Sequence, residues 1–199
     1  MAISAKMVQE LRAKTNVGMM DCKKALQEAD GDMDKAIELL RKRGVAKAES
    51  RAGRDANEGA IVSYIHAGSQ LGVMLEINSE TDFVARTDEF QDFSKDVAMH
   101  IAAAAPLVVN RDDVDTTLLD KEKDIYKEQA LGEGKPEHVV ERIVEGRIEK
   151  YYQEVVLMEQ AFVKDPDKTI KDLHSELVAK CGENITIRRF TRFVLGEES

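Results

Sequence analysis

Apolar residues recur at helical spacing three times within the first 44 positions. Met7, Val8 and Leu11 follow Ser4, a residue type suited to accept from the free N–H groups of a helix start. Thr15-Asn16-Val17-Gly18 then breaks the pattern. Met19, Cys22, Ala25, Leu26 and Ala29 resume it as far as the turn at Asp30-Gly31. Asp32 is placed to cap a third helix with Met33, Ile37 and Leu40 on one face. Arg41, Lys42 and Arg43 suit its C-terminal dipole, and Gly44 is placed to end it. The expectation is a three-helix bundle over residues 1–44.

Residues 45–57 are rich in Ala, Lys, Arg, Glu and Asp and lack a wide apolar stripe, so they read as a linker. Beyond it the period changes from helical to alternating. Ile61, Ser63 and Ile65 alternate with Val62, Tyr64 and His66, and Val73 to Ile77 follow Gly68-Ser69, which predicts a β-hairpin. A third strand is expected from Ile185 to Leu195, with Phe190 out of phase at a bulge. Between hairpin and last strand the chain reads as helical. Phe90, Phe93, Val97, Ile101 and Ala104 mark one helix that stops before Pro106. Two more form a hairpin near 117–156, broken by Gly132 to Pro136, and after a turn at Asp165-Pro166 a last helix carries Ile170, Leu173, Leu177, Val178 and Cys181 up to Gly182. The fold class is therefore α+β: a small antiparallel sheet of about three strands covered by helices, over residues 58–199.

Composition narrows what this fold can do. The 199 residues are 43% hydrophobic, enough to bury a sizeable core, and 34% charged with a net charge of −9. An acidic surface repels nucleic acid and anionic lipid, so the expected partner is a protein. No apolar run approaches the roughly 18 residues of a membrane helix, and the Met1-Ala2-Ile3-Ser4 start lacks a basic region followed by an apolar stretch. Cys22 and Cys181 stand alone in helical patterns, which suits a reducing, cytoplasmic setting.

Motifs for bond chemistry are not found. The histidines at 66, 100, 138 and 174 are scattered, and His138-Val139-Val140-Glu141 lacks the second histidine of a zinc-binding helix. Gly132-Glu133-Gly134-Lys135 lies between helices instead of joining a strand to a helix, so it reads as a turn and not a phosphate cradle. The basic residues from Arg41 to Arg54 are interrupted by Glu49 and have no aromatic among them. No enzyme activity, metal or cofactor is expected.

The distinctive segment is Ser79-Glu80-Thr81-Asp82-Phe83-Val84-Ala85-Arg86, directly after the second strand. Phe83 there is either a buried hinge residue or a protruding wedge, and residue type alone favours burial. Asp82 either faces a partner or caps its own loop. Met19 shares a stripe with Cys22 and Leu26 and reads as core, whereas Lys23 points elsewhere. His100 lies on the face of Phe93, Val97 and Ala104 and reads as a packed, hydrogen-bonded histidine.

Two stretches closely resemble the signatures of the elongation factor Ts family: Leu11 to Thr15 with Gly18-Met19-Met20-Asp21-Cys22-Lys23-Lys24-Ala25-Leu26, and Asn78-Ser79-Glu80-Thr81-Asp82-Phe83-Val84-Ala85. Glu145-Gly146-Arg147, Ile185 to Phe190 and Val194 to Glu197 add weaker agreement in family order. The resemblance implies a ubiquitin-associated-like N-terminal bundle and a guanine-nucleotide exchange factor that binds elongation factor Tu with GDP. It implies that Thr81, Asp82, Phe83 and Val84 disturb the partner's Mg²⁺ site, that Met19, Met20 and Lys23 contact the partner, and that His100 lies near the partner-facing surface. Long members carry two sheet units and this chain has room for one, so a homodimer is a way to complete the binding surface. The competing reading is a ubiquitin-associated-like module that binds ubiquitin-like domains or peptides and has no GTPase partner.

Overall fold

The computed structural model describes residues 3–15 and 17–197. The chain start read at Met1-Ala2 and the break at Asn16 lie outside the described residues. The chain divides into two compact units, one of Met1–Ile61, Glu76–Ser94 and Asp172–Ile187, the other of Val62–Leu75, Lys95–Lys171 and Arg188–Ser199. A three-stranded antiparallel sheet of order β1-β2-β5 contributes to both, built from β1 (Glu58–Ile65), β2 (Leu71–Ser79) and β5 (Ile185–Val194). The fold class is α+β.

The first unit begins with α1 (Ala5–Thr15), α2 (Met19–Glu28) and α3 (Met33–Glu49). Their shared core is Val8, Leu11, Cys22, Ala25, Leu26, Ala29, Ala36 and Leu40. Each buried Leu contributes about 1.5–3 kcal/mol through area removed from water. Ser4 Oγ accepts from Met7 N–H at 3.2 Å, and Asp32 Oδ1 accepts from Asp34 and Lys35 N–H at 3.1 Å each, so both expected caps are formed.

The third helix does not end at Gly44. It runs on to Glu49, because here α3 lies against α8 (Ile170–Cys181): a Cβ at Gly44 would stand 3.8 Å from Ser175 O and 4.0 Å from Ala179 Cβ. Tertiary packing outweighs the ~1 kcal/mol helix penalty of one glycine. Arg41 adds a two-pronged bond to Asp172, Nε to Oδ1 at 2.9 Å and Nη2 to Oδ2 at 2.5 Å. Within 45–57, Arg51 donates to Val178 O at 3.5 Å and Arg54 to Glu80 Oε1 at 3.4 Å.

Gly59 and Gly182, like Gly31 at the turn before α3, have conformations other residues rarely adopt. Gly182 ends α8 with φ +78° and its N–H bonded to Val178 O at 3.0 Å. Gly59, at φ +139°, lies so close to β2 that a Cβ would stand 2.1 Å from Ile77 O.

In the second unit the hairpin closes with His66 N–H to Leu71 O at 2.9 Å, through positive φ at Gly68 and Ser69. Burial along β5 alternates at Ile185 and Ile187, then loses a beat at Arg188-Arg189, both exposed, which is the expected change of phase. Helices α6 (Thr116–Gly132) and α7 (Glu137–Val155) form the expected hairpin, with Ala130, Val140 and Ile148 buried. Arg147 ties them together by bonding Gln129 at 2.5 Å and Glu133 at 3.1 Å. The turn expected at Asp165-Pro166 is instead the start of a strand: β3 (Ala161–Phe162) pairs with β4 (Asp165–Thr169), and the chain reverses at Val163-Lys164. Pro166 needs no ladder N–H in so short an edge, which is why the sequence pattern concealed it.

His100, on α5 (Asp88–Ala104), is wholly buried in this unit, so it offers no partner-facing surface there; the packed reading is the one realised. Its Nδ1 accepts from Val163 N–H at 3.4 Å, which places the ring hydrogen on Nε2, 2.9 Å from Gln160 Oε1. Gln160 in turn donates to Glu154 O at 2.6 Å and Ala104 O at 3.4 Å. Burial pushes the imidazole pKa down from its ordinary 6.5, against the opposing pull of the Gln160 bond.

Two outcomes follow from these contacts. Gly59→Ala should lower stability by roughly 2 kcal/mol or more, read as a drop in Tm, since the added methyl group meets backbone at an unfavourable φ. A folded-state pKa below the unfolded one means the unfolded chain binds more protons as pH falls below about 6.5, so stability is full above that value and lost on acidification. Denaturant titrations between pH 7 and 5 should show this loss reduced in His100→Gln; His174, which burial also shifts downward, contributes to what remains. An unaltered slope would remove His100 as its source.

Candidate functional site

The strand β2 ends at buried Ser79, whose hydroxyl donates to Thr81 O at 2.8 Å and bends the chain off the sheet end. Thr81 then caps a one-turn helix, α4 (Asp82–Ala85): its Oγ1 accepts from Val84 N–H at 3.4 Å. Thr81, and not Asp82, is therefore the cap. The Asp82 carboxylate pairs with Arg86 one turn later at 2.7 Å.

Downstream, α4 is tied to α5. Thr87 Oγ1 donates to Val84 O at 2.8 Å and accepts from Phe90 N–H at 3.3 Å, and Gln91 Nε2 donates to Ala85 O at 2.7 Å. Ala85 and Phe90 are buried. Phe83 is not: 78% of it is exposed, on a segment that is otherwise bonded at both ends. The burial favoured by residue type is overturned, because the four-residue helix turns Ala85 inward and leaves position 83 on the outer side.

The upstream side is held from far along the chain. Glu183 accepts from Thr81, with Oε1 2.7 Å from the hydroxyl and Oε2 3.0 Å from the backbone N. Glu80 Oε1 accepts from Asn184 N–H at 2.6 Å, and Asn184 Nδ2 donates to Arg54 O at 2.7 Å. The sequence pattern gives neither Glu80 nor Glu183 a role. A helix-stop glycine at 182 is the one signal near Glu183, and nothing local pairs it with a residue about a hundred positions earlier.

On α2 the buried stripe starts at Cys22 and continues through Ala25 and Leu26. Met19 opens the helix ahead of that stripe and is 48% exposed, so it is not core; Met20 is 65% exposed and Lys23 is exposed as well. This α2 surface and the Phe83 segment belong to one unit and share a scaffold: α3 is bonded to α8 through Arg41 and Asp172, and the turn after α8 bonds residues 80 and 81. His100 lies in the other unit.

Among the described residues no group of three or more His, Cys, Asp or Glu could hold a metal ion, and no helix is long and apolar enough to cross a membrane. What the site presents is an apolar ring on a fixed short helix, a geometry for contact.

Comparison with known proteins places the chain in a family. The family profile described as "Elongation factor TS" matches residues 3–197. Elongation factor Ts of Thermoanaerobacter sp. (strain X514) is 60% identical over 195 residues, covering 98% of this chain and 96% of the relative. That of Alkaliphilus oremlandii (strain OhILAs) is 60% identical over 197 residues, 99% of this chain and 91% of the relative, and that of Geobacter sulfurreducens (strain ATCC 51573 / DSM 12127 / PCA) is 56% identical with the same coverage. A match of this extent, with the exposed Phe83 segment lying within it, is decisive: the chain belongs to the elongation factor Ts family of translation elongation factors.

Proposed function

We propose that this protein is a cytoplasmic guanine-nucleotide exchange factor that binds elongation factor Tu carrying GDP and promotes release of the nucleotide. The observation that carries the reading is Phe83, held out at 78% exposure on a helix whose two ends are anchored. An isolated apolar side chain of this size gains about 1.5–3 kcal/mol on entering a partner pocket. Rigidity spares the entropy of ordering it at the moment of contact.

Phe83, flanked by Thr81, Asp82 and Val84, enters the partner's nucleotide domain and displaces the support of the bound Mg²⁺. That ion neutralises the diphosphate oxygens, so loosening it weakens nucleotide binding without contact with the base. No covalent bond changes. Linkage makes the effect reciprocal: GDP weakens exchange-factor binding by the factor by which the exchange factor weakens GDP, so incoming nucleotide ejects the factor. Met19, Met20 and Lys23 form a second contact on the same unit. A ubiquitin-associated-like module acting alone has no use for the displayed ring, which is why that reading is set aside.

The outer face of the sheet supports a homodimer. Within the second unit Ile65, Met74 and Phe193 are exposed, and Ile65 reaches over Gly72, where an added Cβ would stand 2.9 Å from its Cδ1. An apolar face of this kind is a surface for a second copy.

Phe83→Ala should slow stimulated GDP release at least tenfold, the loss of an anchor worth about 1.4 kcal/mol or more, in a purified two-protein assay. Unchanged kinetics would remove Phe83 from this role. Met74→Glu should shift the mass seen by light scattering from dimer to monomer. A parent chain that is monomeric at tens of micromolar would instead refute the dimer.

A further inference from the structure

Residues 80–81 and 183–184 exchange carboxylates. Glu183 accepts from the N–H and hydroxyl of Thr81 at 3.0 and 2.7 Å, and Glu80 accepts from the Asn184 N–H at 2.6 Å. Each segment thus satisfies a backbone donor of the other with an acid side chain, and charge-assisted bonds of this type are stronger than neutral ones. Arg54 completes the set, its Nη1 3.4 Å from Glu80 Oε1 and its carbonyl accepting from Asn184 Nδ2 at 2.7 Å. Thr81 and Glu183 are half-buried, so water competes poorly for these positions.

The Thr81 hydroxyl has two duties. It donates its single hydrogen to Glu183 Oε1, and its oxygen accepts from Val84 N–H to cap α4. A hydroxyl has one hydrogen and a free rotor. Glu183 fixes the rotor, which leaves a lone pair for the cap. A helix of one turn cannot sustain itself, because nucleation costs more than its few internal bonds return. The conformation that displays Phe83 therefore depends on a residue remote in sequence.

We propose that Glu183 is a positioning residue for nucleotide exchange, acting through Thr81 to hold the one-turn helix that presents Phe83. This rests on the reading of Phe83 as the displacing side chain. Glu183 touches neither nucleotide nor magnesium. Its removal leaves the α2 surface intact, so the maximal exchange rate falls while the concentration for half-maximal effect changes little.

The test uses the full-length chain with elongation factor Tu and fluorescent GDP, together with amide hydrogen exchange of the free protein. Glu183→Ala should lower the maximal stimulated release rate about tenfold, shift the half-saturating concentration less than about twofold, and speed exchange of the Asp82–Ala85 amides. Glu183→Gln keeps one acceptor for Thr81 but not two, and should lie between parent and alanine variant in both readouts. If the alanine variant does not fold, the glutamine variant decides. Parent-like release, or slowed release with parent-like protection of Asp82–Ala85, overturns the proposal. The parallel Phe83→Ala measurement separates the two failures: if it leaves release unchanged, the reading of Phe83 falls, whereas slow release there beside normal release in the Glu183 variants removes Glu183 alone.

Discussion

A four-residue helix held by its cap is the constraint on which the first unit's site depends. Left to itself, such a segment would sample many conformations, since fixing each residue costs about 1–2 kcal/mol. Here its preceding residue is bonded by Glu183, its Val84 N–H is capped by the Thr81 hydroxyl, and its last carbonyls accept from Thr87 and Gln91. The ordering entropy is met by polar bonds at the margins. The outward side chain is thereby free to be apolar and exposed.

The same polar bonds join the site to the N-terminal bundle. Arg41 fastens α3 to α8 through Asp172, and the turn after α8 carries Glu183 and Asn184 to residues 80 and 81. Two surfaces far apart in sequence, the α2 face with Met19 and Met20 and the Phe83 segment, are so carried by one packed unit. A partner that engages both meets a preorganised pair, and less is lost on binding than with a flexible tether.

Much of this was legible in the sequence, and what escaped had a physical reason. Period alone located the bundle, the hairpin, the helical pair and the last strand, because each buries one face and its spacing records that face. Gly44 misled because a single glycine yields to packing, here against Ser175 and Ala179. The strand pair Ala161–Phe162 and Asp165–Thr169 is too short to show alternation, and its Pro166 imitates a turn. The exposure of Phe83 and Met19 could not be read either, since residue type favours burial and only the positions of Ala85 and Cys22 decide which side faces out. The Glu80 and Glu183 bonds are long-range, and nothing in the local pattern pairs the two segments.

The central claim concerns where the ring at position 83 goes, and fluorine NMR of 4-fluorophenylalanine placed there measures it most directly. In the free protein the resonance should be narrow and sensitive to a soluble paramagnetic quencher. On addition of nucleotide-free elongation factor Tu it should shift and lose that sensitivity, and GDP with Mg²⁺ should restore the original signal. A resonance equally accessible to the quencher in the free and bound protein would contradict the account.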